Sequence, residues 1–146
     1  MTRFHRYTTH VLRTVFGAFF VFSGLNHIFA FWQPPAPHIA AARAFIAGLD
    51  GSGFIMPLLG VLFTYAGVAL IAHRMAALAL LLLAAPVVVI FGYHFVTEGE
   101  AFGPHVFVLG IYLWLAWEER ATWATLFAAD AHNHPKRGRT PFSPAI

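Results

Sequence analysis

"FIMPLLGVLFTYAGVALIAHRMAALALLLLAAPVVVIFGYHFV", residues 54–96, is two long apolar runs separated by a single polar pair, His73 and Arg74. A bilayer core about 30 Å thick needs about 20 helical residues to cross it, and residues 54–72 and 75–96 each meet that length. A two-residue junction leaves them no choice but a tight antiparallel hairpin. The stretch therefore predicts membrane-spanning helices rather than the core of a soluble domain.

Composition agrees with that reading. Of the 146 residues, 59% are hydrophobic and 10% charged, which is too little charge to clothe a soluble surface. The length allows one domain, expected to be a transmembrane domain over residues 1–130. With no cysteine, the chain alone supplies no disulfide, thiolate metal site or Cys-x-x-Cys redox pair, so a redox role needs a bound cofactor or a partner. The basic pI of about 9.8 does not point to nucleic acid, because the basic residues flank apolar runs and form no groove or helix face that could track phosphates.

Working outward, residues 11–32 and 101–117 complete a set of four apolar segments. The first resembles a secretory signal in its opening arginines, but it runs on through Asn26 and His27 without a small-residue cleavage site, so it is expected to be retained. The fourth is ended at Trp117, since continuing through Glu118, Glu119 and Arg120 would bury three charges. Residues 121–129 are then expected to form an interfacial helix, and residues 131–146, rich in Pro, Gly and basic side chains, a flexible tail. In the loop after the first segment, "WQPPAPH" stops the helix, and Ile39, Ala42, Phe45, Ile46 and Leu49 recur at helical spacing. This predicts a short amphipathic helix on the outer face or over the bundle.

Eight of the nine basic residues, Arg3, Arg6, Arg13, Arg74, Arg120, Lys136, Arg137 and Arg139, fall on one side of this arrangement. Only Arg43 falls on the other, so the positive-inside rule places both termini in the cytoplasm. The expectation is an all-α, integral membrane four-helix bundle in a bacterial inner membrane.

The polar residues inside these runs need a partner. Arg13, Gly17, Phe20, Gly24 and His27 share one stripe of the first helix, with Ser23 and Asn26 at its border, which suits close contact with another helix. Arg13, near the inner end, is expected to snorkel to the headgroups. At 1.5 Å per residue, His27 lies about 24 Å and His94 about 29 Å from the inner surface, and His105 opens the fourth segment in the same layer. Glu98, four residues after His94, would share its face if the helix continued. Asn26, His27, His94, Glu98 and His105 thus form one candidate site. Such a group could hydrogen-bond a quinone or relay its protons, and His27, His94 and His105 could hold a divalent metal. Axial ligation of haem by two of the histidines, or plain interhelical hydrogen bonding, would also use these residue types.

"RTVFGAFFVFSGLNHIF", "LLGVLFTYAGVALIA", "HRMAALALLLLAAPVVVIFGYHF" and "GPHVFVLGIYLWLAW", taken in order, resemble the four helices of the DoxX-like membrane proteins. The likeness runs from Arg13 to Trp117, includes the late His94–Phe95 pair and places Gly110 at a central glycine. The family commonly has another residue at the position of His27. The resemblance implies a four-helix membrane bundle serving a redox system, since relatives include a quinone-reducing thiosulfate oxidoreductase subunit and a membrane partner of superoxide dismutase. It thus implies either a quinone-interacting subunit or a membrane anchor for an oxidoreductase, and is compatible with a homo-oligomer. A structural or small-solute transport protein is the alternative.

Overall fold

The computed structural model describes residues 3–131 and is all-helical over them, with no strand among the described residues. Helix α1 spans Arg3–Phe29, α2 Ala40–Gly51, α3 Ile55–Ile71 and α4 Ala76–Gly92. A π-helical turn, Tyr93–Thr97, extends α4; α5 covers Pro104–Glu118 and α6 Arg120–Ala131. Residues 132–146 of the expected tail lie outside the described residues.

Helix α1 begins well before residue 11 because "RFHRYTTH" contains no breaker and its threonines are satisfied within the helix. Thr8 and Thr9 donate to the carbonyls of Phe4 and His5, and Thr14 further along does the same to His10. It stops at Phe29, short of residue 32, where Ala30 enters the left-handed region at φ 50° and its N–H bonds the Asn26 carbonyl. The side-chain oxygen of Asn26 then accepts from the Trp32 N–H at 2.7 Å, fixing the exit of the chain.

Helices α2 and α3 meet at 87°, and Ser52 makes the corner. Its hydroxyl donates to the Leu49 carbonyl at 2.6 Å and accepts from the Ile55 N–H at 3.1 Å. The α3–α4 junction is as tight as the two-residue linker demands, with His73 at φ 52° and Met75 at φ 55°. Helix α5 starts at Pro104 rather than residue 101, with proline in the first turn, where a missing N–H goes unfelt.

Helix α1 packs on α3 and α5, and α4 packs on the same two helices. The core at their centre contains Phe16, Phe20, Phe63, Leu70, Leu80, Leu83, Val87 and Leu115. Phe20 is fully buried, with edge-on contacts to Phe16 at 4.9 Å and Phe63 at 5.1 Å. Helix α6 folds back so that the Trp123 indole donates to the Ala116 carbonyl at 3.0 Å.

The α1–α3 contact is a seam of four glycines. A Cβ on Gly17 would stand 2.6 Å from the Gly67 carbonyl oxygen, and one on Gly24 would stand 2.7 Å from that of Gly60. The pairing 17 with 67 and 24 with 60 makes the helices antiparallel and lets their backbones touch. This is the stripe read from the first helix, now with its partner.

Large apolar side chains also point away from the core on every face; Val61, Leu81, Val88, Phe107 and Trp117 are each more than half exposed. A surface so apolar matches a lipid solvent. Two helical stretches, Arg3–Phe29 and Ala76–Thr97, are long and apolar enough to cross a membrane, and the bent α2–α3 pair would make a third. Helices α3 and α5 alone are shorter, about 25 and about 22 Å.

The end of the molecule that holds the start of α1, the α3–α4 junction and the α5–α6 boundary is here termed basal. There His5 pairs with Glu118 at 2.9 Å and Arg13 pairs with Glu119. Arg13 therefore does not reach outward as a snorkelling side chain would. Its guanidinium pairs with the Glu119 carboxylate, each side chain only 15% exposed, while the Arg13 Nε is buried without a hydrogen-bond partner.

Candidate functional site

The distal end, opposite, carries α2, the π-turn and residues 98–104. A cavity of about 410 Å³ opens there between α1, α2, α3 and α4. Its walls are almost wholly apolar: Phe20 and Phe63 form the floor side, and Phe45, Ile46 and Leu49 of α2 lean over it. The helical spacing of those three residues in the loop thus does cover the bundle. Pro86 of α4 also faces the cavity, and its missing N–H leaves the helix one hydrogen bond short at that level.

Few polar side chains line this space: Ser23 and His27 from α1, Tyr93 and His94 from the π-turn. His27 is held by the glycine seam, since its Cβ would lie 3.3 Å from one added at Gly60, and its ring tilts against Phe63 at 5.6 Å. No hydrogen bond joins His27 to His94; the two line one cavity from different helices.

Beside the cavity lies a second polar group. The His94 Nδ1 is 3.2 Å from Glu100 Oε2, and the same oxygen is 3.8 Å from the His105 Nδ1. The two imidazoles are parallel within 6° at 5.1 Å. The His105 side chain is fully enclosed, and neither of its ring nitrogens has a hydrogen-bond partner. Such an arrangement is uncommon for a buried polar ring.

The five residues expected to act together therefore separate into four settings. Asn26 caps the end of α1 and takes no part in the cavity's lining. His27 and His94 share the cavity, and His94 and His105 share the stacked pair. Glu98 does not join His94: it accepts a hydrogen bond from the Tyr93 hydroxyl at 3.2 Å.

The reason is the π-turn. An α-helical continuation would place residue 98 over residue 94, but here the Glu98 N–H bonds the Tyr93 carbonyl, five residues back, and the Glu100 N–H bonds the His94 carbonyl. Gly99, at φ +72°, completes the reversal and brings Glu100 to the histidines. Glu100, Tyr93 and Gly103 stand outside the set of residues that the sequence points to. The "EGE" at 98–100 does place a second carboxylate within reach, although helical spacing favours the first.

Comparison of the chain with family models, curated proteins and solved structures finds no match. The functional reading thus rests on the distal geometry.

Proposed function

We propose that this chain is an integral membrane protein of DoxX-like type that serves a redox system by holding a quinone in the distal cavity. In this reading α1, α3, α4 and α5 all cross the bilayer of a bacterial inner membrane, with local thinning accommodating the two shorter helices. The basal end, with Arg3, Arg6, Arg74 and Arg120, faces the cytoplasm.

The observation that carries the proposal is the cavity itself: apolar walls with His27 on one side and His94 on the other. Its volume falls in the range of about 300–1,000 Å³ usual for small-molecule sites. The residues fit the group, because a flat apolar ring with carbonyl oxygens at its two ends needs apolar faces and a donor near each end. His27 and His94 can each present an N–H to such an oxygen, and His94 can pass a proton to the exposed Glu100 at the molecular surface. The quinone, when bound, supplies two-electron chemistry coupled to two protons, the electrons being exchanged with a partner oxidoreductase.

A second reading, a structural or small-solute transport protein, draws on the glycine seam, which by itself accounts for the small-residue stripe of α1 as packing. The two separate on one experiment. Full-length protein solubilised gently is extracted for bound quinone and titrated with a short-chain benzoquinone, with His27→Ala and His94→Ala alongside. The redox reading expects co-purifying quinone and binding weakened about tenfold or more in each variant, the loss of one hydrogen bond to a buried ligand. An empty extract with no binding, or binding indifferent to both substitutions, favours the structural or transport reading.

A further inference from the structure

The geometry points to a divalent-cation site at the distal rim, formed by His94, Glu100 and His105. It shares His94 with the quinone reading, although Glu100 and His105 do not line the cavity, and an ion there would take the place of the His94–Glu100 proton path. One nitrogen from each ring and one carboxylate oxygen all lie within 4.8 Å of one another. Tetrahedral bonds of about 2.0–2.1 Å place ligand atoms roughly 3.3–3.4 Å apart. The His94–Glu100 separation of 3.2 Å already matches, and the His105–Glu100 separation of 3.8 Å needs only a few tenths of an ångström.

Two further observations favour a ligand over an ion pair. His105 is sealed in, yet its Nδ1 stops short of a hydrogen bond to the carboxylate it faces, as a nitrogen would when a third atom belongs between them. Gly103 provides the room: a Cβ there would stand 3.0 Å from the His105 Nδ1 and 3.3 Å from Glu100 Oε2. Any other residue at 103 would thus press on both donors at once. Because the rings are parallel, an ion in the plane of one lies outside the plane of the other. For both to ligate one ion a ring must turn, and His94, with its side chain 37% exposed against none for His105, is the less enclosed of the two.

Two imidazoles and one carboxylate suit a borderline ion of the zinc class better than calcium or magnesium, which prefer all-oxygen shells. Three protein ligands leave a coordination position open, the pattern of a reactive rather than a closed structural site. His94 belongs to this group and to the cavity wall, so the ion would sit where the cavity meets the surface.

The test uses the full chain in detergent with His132→Ala and His134→Ala, which removes the histidines of the tail. After chelator treatment it is titrated with Co²⁺, read by its visible absorption and displaced with Zn²⁺. One equivalent is expected to bind, with Glu100→Gln and Gly103→Val each weakening it about tenfold or more and His10→Ala leaving it unchanged. Zn²⁺ should also raise the melting temperature of the parent chain and not of the Glu100→Gln chain. His105→Ala opens a buried void, so the conservative Glu100→Gln is the deciding variant. Failure to bind one equivalent, binding indifferent to Glu100→Gln and Gly103→Val, or its loss in His10→Ala would overturn the site.

Discussion

At the scale of single residues, a histidine at the basal end offers a test by pH. His73 sits in the α3–α4 junction with its Nδ1 3.4 Å from that of His10, ring edge to ring face. Desolvation where the ring packs, then repulsion from His10 and from Arg13, hold its pKa below the ordinary value of 6.5. Folding therefore favours the neutral ring. Below 6.5 the unfolded chain binds a proton that the folded chain resists, so this contribution to stability is present above 6.5 and is lost as pH falls toward the lowered folded value. Since His73 is largely exposed, the effect is small. Melting temperatures from about pH 7.5 down to about pH 5.5 should fall less in His73→Asn than in the parent chain, asparagine being a residue that accepts positive φ. An equal fall in both would show that other groups set the acid limit. The same scale shows what the sequence could not disclose. Residue types and helical rise alone suffice to bring His27, His94 and His105 toward one end of the bundle. Which carboxylate joins them depends on a single π-turn, and nothing in "YHFVTEGE" distinguishes a five-residue repeat from a four-residue one before the loop is folded.

Among elements, the decisive contact is α1 on α3. Gly17 and Gly24 are visible in the sequence as a small-residue stripe, because spacing on one helix follows from the helix alone. Their partners Gly60 and Gly67 share the same spacing on α3, but pairing them needs the antiparallel register that only the packed structure fixes. A Cβ at Gly24 would lie 2.6 Å from the Thr64 nitrogen and 2.7 Å from the Gly60 oxygen, both backbone atoms that cannot swing aside. Gly24→Leu is expected to destabilise by about 3 kcal/mol, the upper end of overpacking effects, and to disturb His27 one turn away. Gly110, central in α5, has nothing within 4 Å of such a Cβ. Gly110→Ala should be neutral or stabilise by up to about 1 kcal/mol through helix propensity. Thermal unfolding in one detergent compares the two directly, and a destabilising Gly110→Ala alongside a harmless Gly24→Leu would reverse the assignment of the seam. The charges at the end of α5 show a related limit. Glu118 and Glu119 are unfit for lipid by their charge alone, which ends the expected span at Trp117; the helix itself runs through Glu118. Their partners His5 and Arg13 lie more than a hundred residues earlier, a separation no local pattern reports.

Over the whole molecule, the two ends differ in chemistry as sharply as the flanks differ from both. The flanks are apolar and outward-facing; the basal end collects arginines; the distal end collects the cavity, the carboxylates of Asp50, Glu98 and Glu100 and the stacked histidines. If the basal end lies in the cytoplasm, the proposed quinone and cation sites both open toward the opposite compartment, and any oxidoreductase partner must meet them there. Because the chain contains no cysteine, single cysteines can be introduced without removing any. Ala101→Cys lies in the distal loop and Ala121→Cys at the start of α6, both at exposed positions. In intact spheroplasts a membrane-impermeant maleimide should label Ala101→Cys at once and Ala121→Cys only after the membrane is opened, because the positive-inside rule assigns the arginine-rich end to the cytoplasm. Labelling in the reverse order would turn the molecule over and place the cavity on the cytoplasmic side, where a soluble cytoplasmic reductase rather than an external one would face it.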